Sequence, residues 1–234
     1  MKKQLLIIPG NPCAPKYYNL WKKELEKNRN IECIVAKSEV LFDKYLNPEE
    51  YFLELESYYE KFMEKYNSKN PITVVGHSIG GYFALKLLEK YPKKIQKVIL
   101  IFPYLGEESE KARKKLQRVY FFNKILVSKF VIKYNSFFQY FIRDMKLVSK
   151  RELIIAERLA INEYLFFKKN RFNFDLVGNN KVFLLYNEND EWCTNEMVEK
   201  LGLLVDSKRV EVSHKFVLDE SQRKIMAKNI LFYI

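Results

Sequence analysis

Residues 76–80 read Gly-His-Ser-Ile-Gly, after the apolar run 71–75 and before a helix-like pattern. A serine at a turn from a strand into a helix presents its Oγ clear of the sheet. The flanking backbone must crowd together there, and Gly76 and Gly80 lack the Cβ atoms that would prevent this. The pattern therefore predicts Ser78 as the nucleophile of an acyl-transfer reaction.

A serine nucleophile needs a general base, and the chain has two histidines, His77 and His214. Histidine is the usual base because its unperturbed pKa is close to the operating pH. We expect His77 to be structural, because adjacent side chains on a tight turn diverge and His77 is next to Ser78. His214 is the predicted base. It follows the apolar run 210–212 near the end of the chain, where the order serine, acid, histidine places it.

The acid of such a triad should follow a strand between the serine and the histidine. The strand-like run 181–186 leads into a loop that holds Asp190, the preferred acid, whose role would be to hold the His214 imidazole in one tautomer. Asp206 and Asp219 are interpreted as solvated or helix-capping carboxylates. The alternatives left open are Glu188 and Glu191 from the same loop, and Glu107 and Glu108 after the preceding strand.

Acyl transfer also needs hydrogen-bond donors aimed at the developing oxyanion. One predicted donor is the backbone N–H of Ile79, the residue after the nucleophile. The second should come from the loop after the first strand, residues 9–13. Pro12 has no N–H, so Asn11 is the preferred donor. This chemistry requires no metal and no cofactor.

Strand-like and helix-like patterns alternate along the chain, which predicts a mostly parallel sheet with helices on both faces. The segment 103–172 interrupts this alternation and is predicted to be a helical lid inserted into a single domain, 1–234. It holds 16 Lys and Arg against 7 Asp and Glu, so 16 − 7 gives +9 of the net +12. Aromatic residues interleave with these charges. Two interpretations stay open: an interfacial surface for anionic lipid, or aromatics that line an acyl pocket or pack the lid on the core. The predicted strands are 4–8, 31–36, 71–75, 95–102, 181–186 and about 208–212.

Composition limits the remaining classes of function. The chain has 234 residues, enough for one α/β domain with a sizeable core. Three cysteines without a Cys-x-x-Cys spacing suit a reducing compartment, and no apolar run reaches the length of a bilayer span. We therefore expect a soluble, cytoplasmic protein. The net charge of +12 is not paired with a nucleic-acid-binding motif, so no nucleic-acid partner is predicted.

Four motifs taken together resemble the lipid droplet-associated hydrolase family. They are Ile-Ile-Pro-Gly-Asn-Pro at 7–12, Gly-His-Ser-Ile-Gly-Gly-Tyr at 76–82, Asp-Glu-Trp-Cys at 190–193 and Ser-His-Lys-Phe at 213–216. Cys13 is a departure, because it stands where the family usually has glycine.

The resemblance implies an α/β-hydrolase fold of about six strands and a serine esterase or lipase acting on neutral lipid esters. It also implies peripheral association with lipid droplets or membranes, and by position it maps the triad to Ser78, Asp190 and His214. Two other functions remain: a thioesterase or small-ester esterase, and a lipid-surface binding protein whose serine turn is vestigial. The oligomeric state is left open.

Overall fold

The computed structural model describes residues 2–11, 15–36, 47–66, 70–125, 150–177 and 180–234. These residues form one six-stranded sheet in which every pair of neighbours is parallel, in the order β2-β1-β3-β4-β5-β6. The predicted parallel α/β architecture is confirmed. The strands are β1 (Lys3–Ile8), β2 (Ile31–Val35), β3 (Ile72–His77), β4 (Ile95–Ile101), β5 (Val182–Tyr186) and β6 (Asp206–Arg209).

The central strands are buried almost throughout. Every residue of β3 is buried, as are the last four residues of β1 and of β4. Strands covered on both faces read as continuous apolar runs rather than as alternating patterns, which is why these segments were recognisable in the sequence. Because the strands are parallel, their carboxyl ends meet at one edge of the sheet, where α/β proteins place their sites.

The helices are α1 (Pro15–Leu25), α2 (Pro48–Lys65), α3 (Ile79–Lys90), α4 (Glu110–Ile125), α5 (Lys150–Lys169), α6 (Asn195–Gly202) and α7 (Glu220–Tyr233). Six of them pack in two groups, as expected when a sheet lies between helices. The first group is α1 packed on α7, and the second is α2 packed on α3 and on α5, with α4 also against α5.

Three helices begin at residues that the sequence marks as caps. Asn47 and Glu50 form a capping box at the start of α2. The Thr194 side chain accepts from the N–H of Met197, and Asp219 caps α7 in the same way. Asp219 is thus a helix cap, one of the two roles that the sequence suggested for it.

Strand β6 lies earlier in the chain than predicted. The apolar run 210–212 favoured a strand over 208–212, but the strand is Asp206–Arg209, and all four of its residues are exposed. β6 is an edge strand that pairs with β5 alone, so charged side chains are tolerated there and protect the edge. Val210 and Val212 are buried in the following loop, where the Asn187 side-chain amide donates to both of their carbonyls at 3.1 and 3.0 Å.

The predicted lid segment contains α4 and α5. Two of its described aromatic side chains pack inwards: the ring of Phe166 stacks on that of Phe52 at 3.6 Å, and Phe167 is buried against Tyr82 and Tyr104. For these two phenylalanines the core-packing interpretation is confirmed. Tyr120, another aromatic of the predicted lipid surface, is exposed. The remaining aromatics of that surface lie outside the described side chains: Phe121-Phe122, Phe130, Tyr134, Phe137-Phe138 and Tyr140-Phe141.

The positive charge of α4 is largely paired. Lys111 and Lys115 form ion pairs with Glu191, Arg113 with Glu108, and Lys114 with Glu110. In the part of the chain that the structure describes, no helix is long and apolar enough to cross a bilayer.

Candidate active site

Ser78 occupies the sharp turn between β3 and α3, with φ 54° and ψ −125°. This backbone conformation costs about 1–3 kcal/mol in a residue other than glycine, so surrounding contacts must hold Ser78 in it. The Ser78 N–H donates to the Ile101 carbonyl at the end of β4 at 3.0 Å. The Ser78 carbonyl accepts from the N–H groups of Gly81 (2.9 Å) and Tyr104 (3.1 Å). The end of β4, the loop after it and the first turn of α3 therefore hold the serine backbone.

The glycines around this turn are required by close approach. A Cβ on Gly76 would lie 2.5 Å from the carbonyl oxygen of Gly80, a separation that real Cβ atoms do not show. The loop after β1 also lies directly against the serine, because a Cβ on Gly10 would be 2.8 Å from the Cβ of Ser78. The predicted reason for Gly76 agrees with this geometry.

The structure brings Asp190 and His214 together. His214 Nδ1 lies 2.8 Å from Asp190 Oδ2. The Asp190 side chain is 1% exposed, whereas that of His214 is 22% exposed. Asp190 Oδ1 accepts from the N–H groups of Trp192 and Cys193, both at 2.8 Å. Burial opposes ionisation of Asp190, but His214 and these two N–H groups outweigh it and lower the pKa of this carboxyl. An ionised Asp190 makes Nδ1 the protonated nitrogen of His214 and leaves Nε2 as an acceptor.

The other candidate carboxylates have partners elsewhere. Glu188 pairs with Arg209 at the surface, and Glu191 pairs with two lysines of α4. Glu107 pairs with Lys200. Glu108 accepts from the hydroxyl of Tyr104 at 3.0 Å and from Arg113 at 3.1 Å. Of the carboxylates considered from the sequence, the structure joins Asp190 to His214.

His77 is buried and bonded in a different network. Its Nδ1 lies 2.5 Å from the hydroxyl of Tyr18, and this hydroxyl accepts from the N–H of Gly10 at 2.7 Å. Burial, and secondarily the neighbouring His214, lower the pKa of His77 well below its usual value. A neutral His77 accepts the Tyr18 proton at Nδ1, so Tyr18 links the turn that holds Ser78 to the loop after β1.

The predicted oxyanion donors come from α3 and from the loop after β1. Ile79 is the first residue of α3, so its N–H has no acceptor within the helix. The Gly10 N–H donates to the Tyr18 hydroxyl, so the next residue, Asn11, stays the predicted second donor. The Asn11 side-chain amide donates to the Ala156 carbonyl of α5 at 2.9 Å. Pro12 and Cys13 lie outside the described residues.

The role of Tyr18 is not evident from the sequence. The only available signal was a tyrosine pair, Tyr17-Tyr18, a few residues after the Pro-Gly-Asn-Pro loop. Both tyrosines are buried, and the hydroxyl of Tyr18 bonds to His77. No spacing rule connects them, because the two bonded residues are 59 positions apart.

A sequence profile described as "Lipid-droplet associated hydrolase" matches residues 1–154. The match covers more than half of the chain and includes the serine turn and the β1 loop. The chain belongs to the lipid droplet-associated hydrolase family, as its motifs indicated.

Solved structures show the same fold at low sequence identity. A lipase-esterase related protein from Clostridium acetobutylicum superposes with a TM-score of 0.66 and 19% identity, over 99% of this chain and 94% of that one. An esterase from Exiguobacterium antarcticum superposes with a TM-score of 0.64 and 14% identity, over 99% and 91% of the two chains. These similarities establish the α/β-hydrolase fold.

One curated protein shares a short segment with the chain. A 1-acylglycerol-3-phosphate O-acyltransferase of Saccharomyces cerevisiae is 46% identical over 57 residues, which is 23% of this chain and 14% of that protein. The chain thus matches about a seventh of the length of that relative.

Proposed function

We propose that the chain is a serine hydrolase that cleaves lipophilic carboxylic esters through Ser78, His214 and Asp190. The observation that carries this proposal is the 2.8 Å bond from His214 to a buried Asp190, on the same edge of the sheet as a serine held at positive φ. A purely structural role would require neither a serine at positive φ nor a histidine whose tautomer is fixed by a buried carboxylate.

The first half-reaction forms an acyl-enzyme. His214 Nε2 takes the proton of Ser78 as Oγ bonds to the ester carbonyl carbon, and the carbonyl oxygen becomes the oxyanion. The N–H groups of Ile79 and Asn11 stabilise that charge. When the intermediate collapses, the carbon–oxygen bond to the alcohol breaks and His214 gives its proton to the leaving oxygen.

Water completes the reaction by the same steps. His214 accepts a proton from water as the water oxygen attacks the acyl carbon, and it returns the proton to Ser78 Oγ when the acid leaves. Asp190 stays ionised throughout and stabilises the imidazolium that forms twice in each cycle.

Fluorophosphonate labelling tests the mechanism directly, because only an activated serine reacts. We expect the wild-type protein to be labelled and Ser78→Ala to be unlabelled, with His214→Ala strongly slowed. Ser207→Ala is a matched control, because Ser207 is an exposed serine of the edge strand β6. Labelling that persists in Ser78→Ala would show that the nucleophile is another residue.

A substrate panel separates the alternatives. Turnover of p-nitrophenyl esters of increasing acyl length, and then of acylglycerols against acyl-CoA, distinguishes a lipid esterase from a thioesterase or a small-ester esterase. We expect kcat/KM to rise with acyl length. A protein that is neither labelled by the fluorophosphonate nor active on any ester would favour the lipid-surface alternative, in which the serine is not activated.

We further propose that segment 103–172 brings the enzyme to an anionic lipid surface. Its net charge of +9 supplies about 1 kcal/mol of attraction per basic residue near such a surface, screened beyond about 8 Å at physiological salt. Co-flotation with phosphatidylserine vesicles across a salt series should show binding that weakens as salt rises. Replacing Phe137-Phe138 with serines should weaken it even at low salt. No binding at low salt would remove this part of the proposal.

A second candidate activity is acyl transfer to an alcohol, favoured by the short match to the yeast acyltransferase. The acyl-enzyme is common to both reactions, and the difference lies in whether water or an alcohol attacks it. Incubation with an activated acyl donor and lysophosphatidate, followed by lipid analysis, would detect phosphatidate if transfer occurs. Free fatty acid as the sole acyl product would leave hydrolysis as the activity.

A further inference from the structure

Glu163 is a buried carboxyl that the proposed mechanism does not use. It lies in α5 and is 4% exposed. Leu159 and Phe167, one turn before and one turn after it, are buried on the same face of the helix. A lone carboxyl in such a stripe is expensive to bury unless it is neutral or paired with a positive charge.

The groups that face Glu163 come from three other elements, and the described ones are not cationic. Asn11, from the β1 loop, and Tyr51, from α2, lie close enough to the carboxyl to lower its pKa as hydrogen-bond donors. Tyr104 lies in the loop after β4. Burial and Glu108 are the larger causes that raise the pKa of its phenol, and Glu163 is close enough to raise it further. Helix α4 approaches α5 through an uncharged contact, in which the Gln117 amide donates to the Tyr164 hydroxyl at 3.3 Å.

Two oxygen atoms in this cluster lack a donor of good geometry among the described residues. They are Oδ1 of Asn11 and Oε1 of Glu163, and both are fully buried. One N–H of the Asn11 amide donates to the Ala156 carbonyl at 2.9 Å, which leaves the other N–H for the Glu163 carboxyl. Buried oxygens of this kind normally have a donor, and a proton on the Glu163 carboxyl is the donor that the cluster can supply.

We propose that Glu163 is a positioning residue for the reaction: in its protonated form it donates to the side chain of Asn11 and so fixes the loop that offers the second oxyanion donor. This inference rests on the proposed serine hydrolase function. Together with the bond from Asn11 to Ala156, it makes α5 the support of the oxyanion loop on the side opposite Tyr18.

The protonation state agrees with this role. Burial raises the pKa of Glu163 to about 8, against the opposing effect of the hydrogen bonds from Asn11 and Tyr51. The acid form therefore predominates at neutral pH. Above pH 8 the carboxyl loses the donated proton, and it places a negative charge next to the loop that must stabilise an oxyanion. Both consequences lower the rate, because a like charge opposes the charge that develops in the transition state.

The test compares pH profiles of ester hydrolysis for Glu163→Gln and Glu163→Met. Glutamine keeps the shape and a donor but cannot ionise, whereas methionine keeps the volume without a donor. At pH 7 we expect Glu163→Gln to hold kcat within about threefold of wild type, and Glu163→Met to lose at least about tenfold in kcat with little change in KM. Above pH 8, kcat of the wild-type protein should fall and kcat of Glu163→Gln should stay level.

Glu49→Gln is the matched control. It removes the surface ion pair between Glu49 and Lys169, which joins the same two helices without contacting Asn11, so its pH profile should follow wild type. Thermal unfolding at pH 7 verifies that each variant is folded.

Two results would overturn the inference in an active enzyme. One is a folded Glu163→Met with wild-type kcat, and the other is a Glu163→Gln whose kcat falls above pH 8 as that of the wild-type protein does. Fluorophosphonate labelling of the wild-type protein is measured first. If Ser78 is not labelled, the proposed function fails and this inference fails with it. If Ser78 is labelled and the variants behave as wild type, the inference alone fails.

Discussion

Replacing Asp190 with asparagine tests the proposed triad with the smallest change of shape. The amide oxygen can still accept from the N–H groups of Trp192 and Cys193, so the acid loop should keep its conformation. The amide nitrogen then faces His214 Nδ1, where Oδ2 now lies at 2.8 Å. Two donors cannot share that contact, so the imidazole moves its proton to Nε2. The ring then presents a donor to Ser78 where the mechanism requires an acceptor.

The wrong tautomer should reduce kcat by about 10⁴-fold, which corresponds to about 5.5 kcal/mol in the activation barrier. The effect on folding should be much smaller. Hydrogen bonds to a charged acceptor contribute about 1.5–3 kcal/mol and those to a neutral one about 0.5–1.5 kcal/mol, so two weakened bonds cost a few kcal/mol at most. Removing a buried charge offsets part of that loss, since burial opposes ionisation of Asp190. We therefore expect a folded, nearly inactive protein.

Initial rates on a p-nitrophenyl ester and thermal unfolding, measured on the same preparation, separate the two effects. Glu107→Gln is the control. It removes a half-exposed ion pair with Lys200, so its kcat should stay within about fivefold of wild type. A folded Asp190→Asn with nearly wild-type kcat would refute the assignment of the acid. If Glu108→Gln were inactive at the same time, the acid would lie after β4 and the nucleophile and base would stand.

Three further predictions follow from the same site. Ser78→Ala and His214→Ala should each lose nearly as much ester hydrolysis as the double variant, because triad members act as a unit. A double variant whose loss in kcat is the product of the two single losses would contradict this. His77→Asn should lose thermal stability but keep fluorophosphonate labelling, and a folded but unlabelled variant would count against its structural role. Glu163 should make the wild-type protein less stable as pH rises from 4.5 to about 8, because its pKa is raised from an ordinary 4.5 to about 8 and the folded state holds the proton longer. That pKa difference at about 1.36 kcal/mol per unit limits the effect to about 5 kcal/mol, and urea unfolding of Glu163→Gln across this range should lack the slope.

The parallel sheet and the serine turn could be predicted because local sequence determines them. Buried strands are continuous apolar runs, and the turn needs Gly76 and Gly80 at fixed distances from Ser78. The order of the triad along the chain also restricts the acid and the base to short loops. Within the acid loop, however, the choice among three carboxylates depended on backbone direction. The two N–H groups that turn Asp190 inwards belong to residues whose side chains give no sign of it.

The features that the sequence did not predict depend on contacts between distant elements. The apolar run 210–212 favours a strand because buried apolar residues are typical of sheet pairing. In the structure the Asn187 side chain holds this run as a loop. Glu163 was counted among the charges of a basic lid. Its spacing of four from Leu159 and from Phe167 was a signal that it faces inwards, but only the folded chain shows that Asn11 is what it meets.

Two of the three backbone bonds at Ser78 have a consequence for folding. They come from Ile101 at the end of β4 and from Tyr104 in the loop after it, whereas the third, from Gly81, lies within α3. A chain in which β4 has not yet docked would let this serine relax into an ordinary helix start, with its hydroxyl turned away from any base. Reactivity of the serine should therefore develop late in refolding, together with tertiary packing and after secondary structure. A nascent or partly unfolded copy would thus be unreactive towards cellular esters until its core is complete.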